Sequence, residues 1–181
     1  MNYHNITYPD MNNGDGLRVV LWLSGCNHHC KGCQNSQTWD CNSGIEFDLD
    51  AIIELFEALQ EDYISGITFS GGDPLHENNI DEVYWLCYVI KKSYPTKNIW
   101  LYTGYKWEQI FYPVVTDDLN IKRDGIIEER KEIVKLCDVL VDGRYEADKR
   151  SPNLPWVGSS NQRVINVPQS LNEGKVILWT N

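Results

Sequence analysis

Short apolar runs rich in β-branched residues recur along the chain, at 17–23, 66–69, 98–102 and 138–141. Each gap between them holds one segment with helical spacing. Leu49, Ile52, Ile53, Phe56 and Leu59 share one face of a helix over 48–60, which Asp48 can cap. Ile80, Val83, Tyr84, Cys87 and Ile90 mark a second helix, with Pro95 just beyond its end. A third, over 126–136, carries Ile126, Ile127, Arg130, Ile133 and Val134. Residues 163–167 and 175–179 are weaker strands. Strands separated by single helices require right-handed crossovers, so the pattern predicts an α/β fold with a mostly parallel sheet. A chain of 181 residues suits a single domain with a real core. The polar stretch 113–125 reads as a surface excursion. The turn-rich segment 151–161 opens a loop-rich C-terminal extension from about residue 151.

In such sheets the loops that follow the parallel strands gather on one rim, and that rim hosts the chemistry. Here those loops hold the unusual residues: "SGCNHHCKGCQN" after the first strand, "SGGDP" (70–74) after the second, "TGY" (103–105) after the third and "DGRY" (142–145) after the fourth. The first has Cys26, Cys30 and Cys33 within eight residues. Thiolates are soft ligands suited to zinc, copper(I) or an iron–sulfur cluster. A Cys3His zinc site would need His28 or His29 to fold back onto the same ion, whereas zinc sites are commonly built from separated pairs. Three thiolates can hold three corners of a cubane and leave one iron open; four would saturate it.

The remaining composition excludes several classes. Lys and Arg total 16 against 26 Asp and Glu, a net charge of −10, which disfavours nucleic acid as the main partner. The longest clean apolar run, 19–23, is too short to span a bilayer, and residues 1–10 lack the pattern of a secretory signal. A reducing cytoplasm is therefore expected, in which the six cysteines point to metal or redox chemistry rather than disulfides. Cys41, Cys87 and Cys137 are scattered and read as structural. His28 and His29 read as solvent-facing or loop-bracing, while His4 and His76 carry no specific signal.

"CNHHCKGC" (26–33) resembles the cluster motif of the radical S-adenosylmethionine (SAM) superfamily. The N-terminal block 1–39, "SGGDPL", "IWLYTGY", "DVLVDGRYE" and "WVGSSNQR" together resemble the family of activating proteins of anaerobic (class III) ribonucleotide reductases, over nearly the whole of 1–163. Gly32 before the third cysteine matches that family. Gln34 after it departs from the usual aromatic residue.

The resemblance implies a partial, incomplete β/α barrel and a [4Fe–4S] cluster on Cys26, Cys30 and Cys33. SAM is expected on the open iron, and a glycyl radical is expected on the partner reductase. A reduced flavodoxin-like carrier is the implied electron donor. The implied SAM contacts are Gly32, Gln34, Gly71, Gly72 and Asp73, with Asp142 and Arg144 as an acid-x-base pair near the ligand and Asn13 and Gly14 on the same rim. Asp73 is expected either to touch the methionyl amine or to brace its turn. Trp156 and Arg163 are candidate reductase contacts, and a packed core is the competing reading for the tryptophan. Two rivals remain: another radical SAM activity, such as an activase for a different glycyl radical enzyme or a deazapurine carboxylate synthase, and a non-catalytic zinc module.

Overall fold

The structure, a computed structural model, describes residues 1–113 and 121–180. Seven strands form one sheet: β1 (Asn2–Asp10), β2 (Arg18–Leu23), β3 (Ile45–Glu46), β4 (Gly66–Gly71), β5 (Asn98–Tyr102), β6 (Val139–Asp142) and β7 (Arg163–Asn166). Their spatial order is β3-β1-β2-β4-β5-β6-β7. The central four, β2, β4, β5 and β6, run parallel, as the strand–helix alternation predicts. β1 and β3 add an antiparallel flank on one side and β7 on the other. The α/β, mostly parallel expectation therefore holds.

Among the described residues four helices lie between strands, α1 (Leu49–Gln60), α2 (Ile80–Ser93), α3 (Trp107–Phe111) and α4 (Ile121–Leu136), and α5 (Val167–Glu173) follows β7. Asp48 caps α1, accepting the Ala51 N–H at 3.0 Å. The helices contribute Leu55, Leu59, Val83, Leu86, Ile133 and Val134 to one cluster with Val19, Leu21, Ile67, Phe69, Ile99 and Leu140 of the strands. Each fully buried leucine of this kind contributes about 1.5–3 kcal/mol. Cys87 and Cys137 are buried thiols of this region, as a structural reading requires.

Because side chains alternate along a strand, the same strands present Arg18, Trp22, Thr68, Ser70, Trp100 and Tyr102 to the opposite face. No described helix packs there. At one end of that face Arg18 is completely buried, and among the described residues no carboxylate pairs with it. It donates to Thr68 Oγ1 (2.7 Å), Asn98 Oδ1 (2.6 Å) and the Ile67 carbonyl (2.6 Å), and its guanidinium lies over the Trp100 ring. Burial pushes its pKa down to about 10. A small second cluster of Trp100, Val139 and Val141, covered by Trp156, Val157, Val164 and Trp179, fills the rest.

Two expectations need correction. Helix α4 begins at Ile121, so 121–125 is helical rather than part of a surface excursion; 114–120 lie outside the described residues. Residues 175–179 form only an isolated bridge, Leu178 to Ile165, because the chain first turns through α5. Asn166 caps that helix from the end of β7.

Candidate metal and cofactor site

The three-cysteine loop leaves the end of β2 and is stapled at once. Gly25, at φ 92°, donates its N–H to the Thr38 carbonyl (2.7 Å), and Cys26 donates to that of Trp39 (3.0 Å). The Cys33 N–H closes a turn on the Cys30 carbonyl (3.1 Å). All three thiols are free and partly buried. Burial pushes the Cys26 thiol up to about 11, with the Asp73 charge adding to it and the N–H groups of His28 and His29 opposing. Burial also raises Cys30, against the pull of the Tyr145 N–H and the Arg144 guanidinium. Such thiols stay protonated until a cation arrives, and ligation then releases the protons.

His28, inside the first cysteine interval, is 6% exposed at its side chain. Its Nε2–H donates to Asp73 Oδ2 at 2.7 Å, and its ring meets Tyr105 edge-on at 4.6 Å. A Cβ on Gly104 would fall 2.2 Å from that ring, so only glycine leaves the space. The Asp73 carboxylate also accepts the Thr103 hydroxyl (2.9 Å) and the N–H groups of Leu75 (2.8 Å) and Gly104 (3.0 Å). Burial alone would push this carboxyl up; the His28 bond and charge and the two amides outweigh it and hold it below its ordinary value. Arg130 of α4 extends the lock, donating to the Leu75 carbonyl (2.8 Å) and stacking on Tyr105 at 4.1 Å. The loops after β2, β4 and β5 thus meet on one buried carboxylate, and Asp73 braces its turn. His29, at φ 47°, stacks on Trp39. His28 Nε2 is committed to Asp73 and the His29 ring to Trp39, and among the described residues no three His, Cys, Asp or Glu side chains form a ready site for a single ion.

Gly71 and Gly72 sit where the β4 loop crosses the end of β2. Cβ atoms there would come within 2.7 Å of Leu23 N and 2.5 Å of Gly25 O, and Gly71 has φ 98°. The Gly72 and Asp73 N–H groups bond the Leu23 and Gly25 carbonyls, each at 2.7 Å. This close approach, rather than a plain turn, accounts for the glycine pair. Gly32, exposed at φ 74°, packs near Ala147.

Asp142 is placed differently from the acid-x-base expectation. It is buried, accepts the Trp107 N–H (2.7 Å), and pairs with Arg163 rather than Arg144. The register explains this: Asp142 and Arg163 are cross-strand partners of β6 and β7. Arg163 also forks onto Glu108. Arg144 is exposed, and its positive charge draws the Cys30 thiol down. Arg163 is thus an internal tie, and Trp156 packs edge-on against Trp100 at φ 61°.

Beside the cysteines, on the helix-free face, lies a cleft of about 640 Å³. Cys33 and Gln34 form one wall, Trp22, Ser70 and Tyr102 the floor, and Tyr145 and Trp156 the far side; Asn13 also reaches it. Sequence reasoning missed this floor. Strands buried on both faces show no alternation, so nothing along the chain separates Trp22 or Tyr102 from core residues. His28 gave a clearer signal, a histidine inside a ligand loop, but its carboxylate partner lies 45 residues away.

The profile of the 4Fe-4S single cluster domain family matches residues 12–165. Proteins described as anaerobic ribonucleoside-triphosphate reductase-activating proteins are similar over most of their length. That of Enterobacteria phage T4 is 40% identical over 164 residues, covering 91% of this chain and 93% of the relative. That of Escherichia coli (strain K12) is 40% identical over 166 residues, covering 91% and 97%. That of Pasteurella multocida (strain Pm70) is 34% identical over 171 residues, covering 93% and 99%.

Proposed function

The chain belongs to the family of anaerobic ribonucleoside-triphosphate reductase-activating proteins, and from that premise we propose that it is a radical SAM activase, installing the glycyl radical of such a reductase. One observation carries the reading: three free thiols share a rim loop whose two histidines are engaged elsewhere, and the third thiol lines a cleft floored by aromatic residues. The donor set fits a [4Fe–4S] cluster held by Cys26, Cys30 and Cys33. Held there, such a cluster would supply the single electron for reductive cleavage of SAM at its S–C5′ bond, and so the hydrogen-abstracting chemistry that oxidises a glycine of the reductase to its radical.

The chain's own residues hold and shield. His28 and Asp73 fix the cysteine loop against the loops after β4 and β5. Gly71 and Gly72 let the main chain come close at the rim and present backbone groups to the SAM methionyl end. Gly32 and Gln34 flank the third thiol, and Arg144 offsets negative charge beside Cys30. Asp142 serves by fixing α3 and β7 rather than by touching SAM. Trp22, Tyr102 and Tyr145 offer stacking surface to an adenosyl group and exclude water from it. The helix-free face is the interior of an incomplete barrel, and 1–181 acts as one domain. The setting is the reducing cytoplasm, with a flavodoxin-like electron donor; among the described residues no helix is long and apolar enough to cross a membrane.

The test is anaerobic reconstitution followed by dithionite and SAM. The proposal expects 5′-deoxyadenosine, and a glycyl radical signal once reductase is added. Deoxyadenosine with no radical on the reductase favours a different radical SAM activity. A colourless protein that holds zinc and ignores SAM ends the reading.

A further inference from the structure

A second, smaller cavity of about 320 Å³ adjoins the cleft and shares Trp22 and Asn35 with it. It runs over β1, and besides the two shared residues it is lined by His4, Asn5, Thr7, Asp10, Gln37 and Thr38. Most of this lining is already engaged. Thr7 accepts the Trp22 indole N–H (2.9 Å), Thr38 donates to the Asn35 carbonyl (2.7 Å), and Asp10 accepts the N–H groups of Asn12 and Asn13. The carboxamides of Asn5 and Gln37 are exposed, and among the described residues nothing hydrogen-bonds to them. Both line the groove, Asn5 from β1 and Gln37 from the segment that follows the cysteines. A carboxamide both donates and accepts, as a peptide group does, so two of them in one groove match an extended backbone better than a charged ligand. The groove is also open to an approaching chain, because β3 pairs with Asn2 and Tyr3 and, among the described residues, no strand pairs with the outer edge of β1 beyond them.

We propose that this groove is the entry track for the glycine-bearing segment of the reductase, which lies extended along Asn5 and Gln37 and so reaches the cleft past Asn35. This rests on the activase reading. A polypeptide, rather than a free nucleotide, is the occupant because the lining presents carboxamides and the Asp10 carboxylate but no lysine or arginine, and the ring of His4 is already engaged by Ser43. The track is continuous with the cleft through Trp22, and its far end opens at the sheet edge, so a loop can enter while its chain stays on the partner.

The experiment titrates intact reductase against the cluster-loaded chain and reads the glycyl radical by electron paramagnetic resonance, comparing wild type with Asn5→Ala/Gln37→Ala. Loss of two hydrogen bonds predicts that the half-saturating reductase concentration rises about tenfold while the maximal radical yield stays within about twofold. A second variant, Asn5→Asp/Gln37→Glu, keeps the size and removes the donors; it should weaken the partner comparably. An unchanged half-saturating concentration in both variants overturns the proposal. So does a fall in maximal yield with unchanged half-saturation, which would place these residues in the chemistry. Deoxyadenosine formed from SAM without reductase is read separately in the wild type. Its absence there rejects the activase reading, and the entry track with it. Its presence, with half-saturation unmoved in the variants, rejects the track alone.

Discussion

His28 sets the geometry of the cysteine loop with its Nε2 committed to Asp73. Its bond to Asp73 is charge-assisted and buried, so His28→Ala should cost about 2 kcal/mol and lower the Tm by roughly 4–8 °C. The same variant should lose iron on desalting faster than wild type, and His28→Gln, which keeps a donor, should recover part of both. An unaltered Tm and iron content would show that the loop holds itself. Asp73 carries a pH signature. Its folded carboxyl is held below the ordinary value, so the stability it supplies is complete above the unfolded value of about 3.9 and is lost as pH falls through the lower folded value. Asp73→Asn should therefore flatten the acid limb of a denaturation profile of the metal-free chain. The ligand count is tested at Cys41, whose Cβ stands near Gly25 at the start of the loop. Cys41→Ser should keep its full iron and sulfide, whereas Cys30→Ala should keep none and remain folded.

Between elements, the rim depends on backbone proximity and one ion pair. Gly72→Ala drives a Cβ to within 2.5 Å of the Gly25 carbonyl and should cost about 1–3 kcal/mol in urea denaturation. Gly125→Ala is the contrast: it lies in α4 with nothing within 4 Å, and should stabilise the chain by about 0.5–1 kcal/mol. Arg163→Met strands the buried Asp142 carboxylate and should cost roughly 3 kcal/mol. The parallel strands and the three main helices were legible because each is a local pattern, an apolar run or a 3.6-residue period. β1 was not, since a register shift between Tyr3 and Asn5 breaks its alternation and leaves only Tyr3 and Ile6 buried. β3 and α3 are two and five residues long, too short for any period to develop. The rim loops could be placed from strand order alone. The partner of Asp142 could not, because a neighbouring arginine two residues on is visible in the sequence and a cross-strand one 21 residues on is not.

Over the whole molecule the layers divide the labour. Five helices pack on one face of the sheet, and the opposite face is left to the aromatic-floored cleft and its polar side groove. A single lock on Asp73 holds the three loops where these meet. That arrangement is consistent with a chain that must admit part of a large partner while keeping a reactive site dry. The central claim is that three thiolates, and no fourth protein side chain, hold the cluster, so that SAM meets iron. It is tested most directly by the electron paramagnetic resonance spectrum of the dithionite-reduced, anaerobically reconstituted protein, recorded before and after SAM is added. The account predicts about four irons per chain and a spectrum that shifts on SAM addition, followed by 5′-deoxyadenosine. A cluster whose spectrum is indifferent to SAM, with no deoxyadenosine formed, would contradict it.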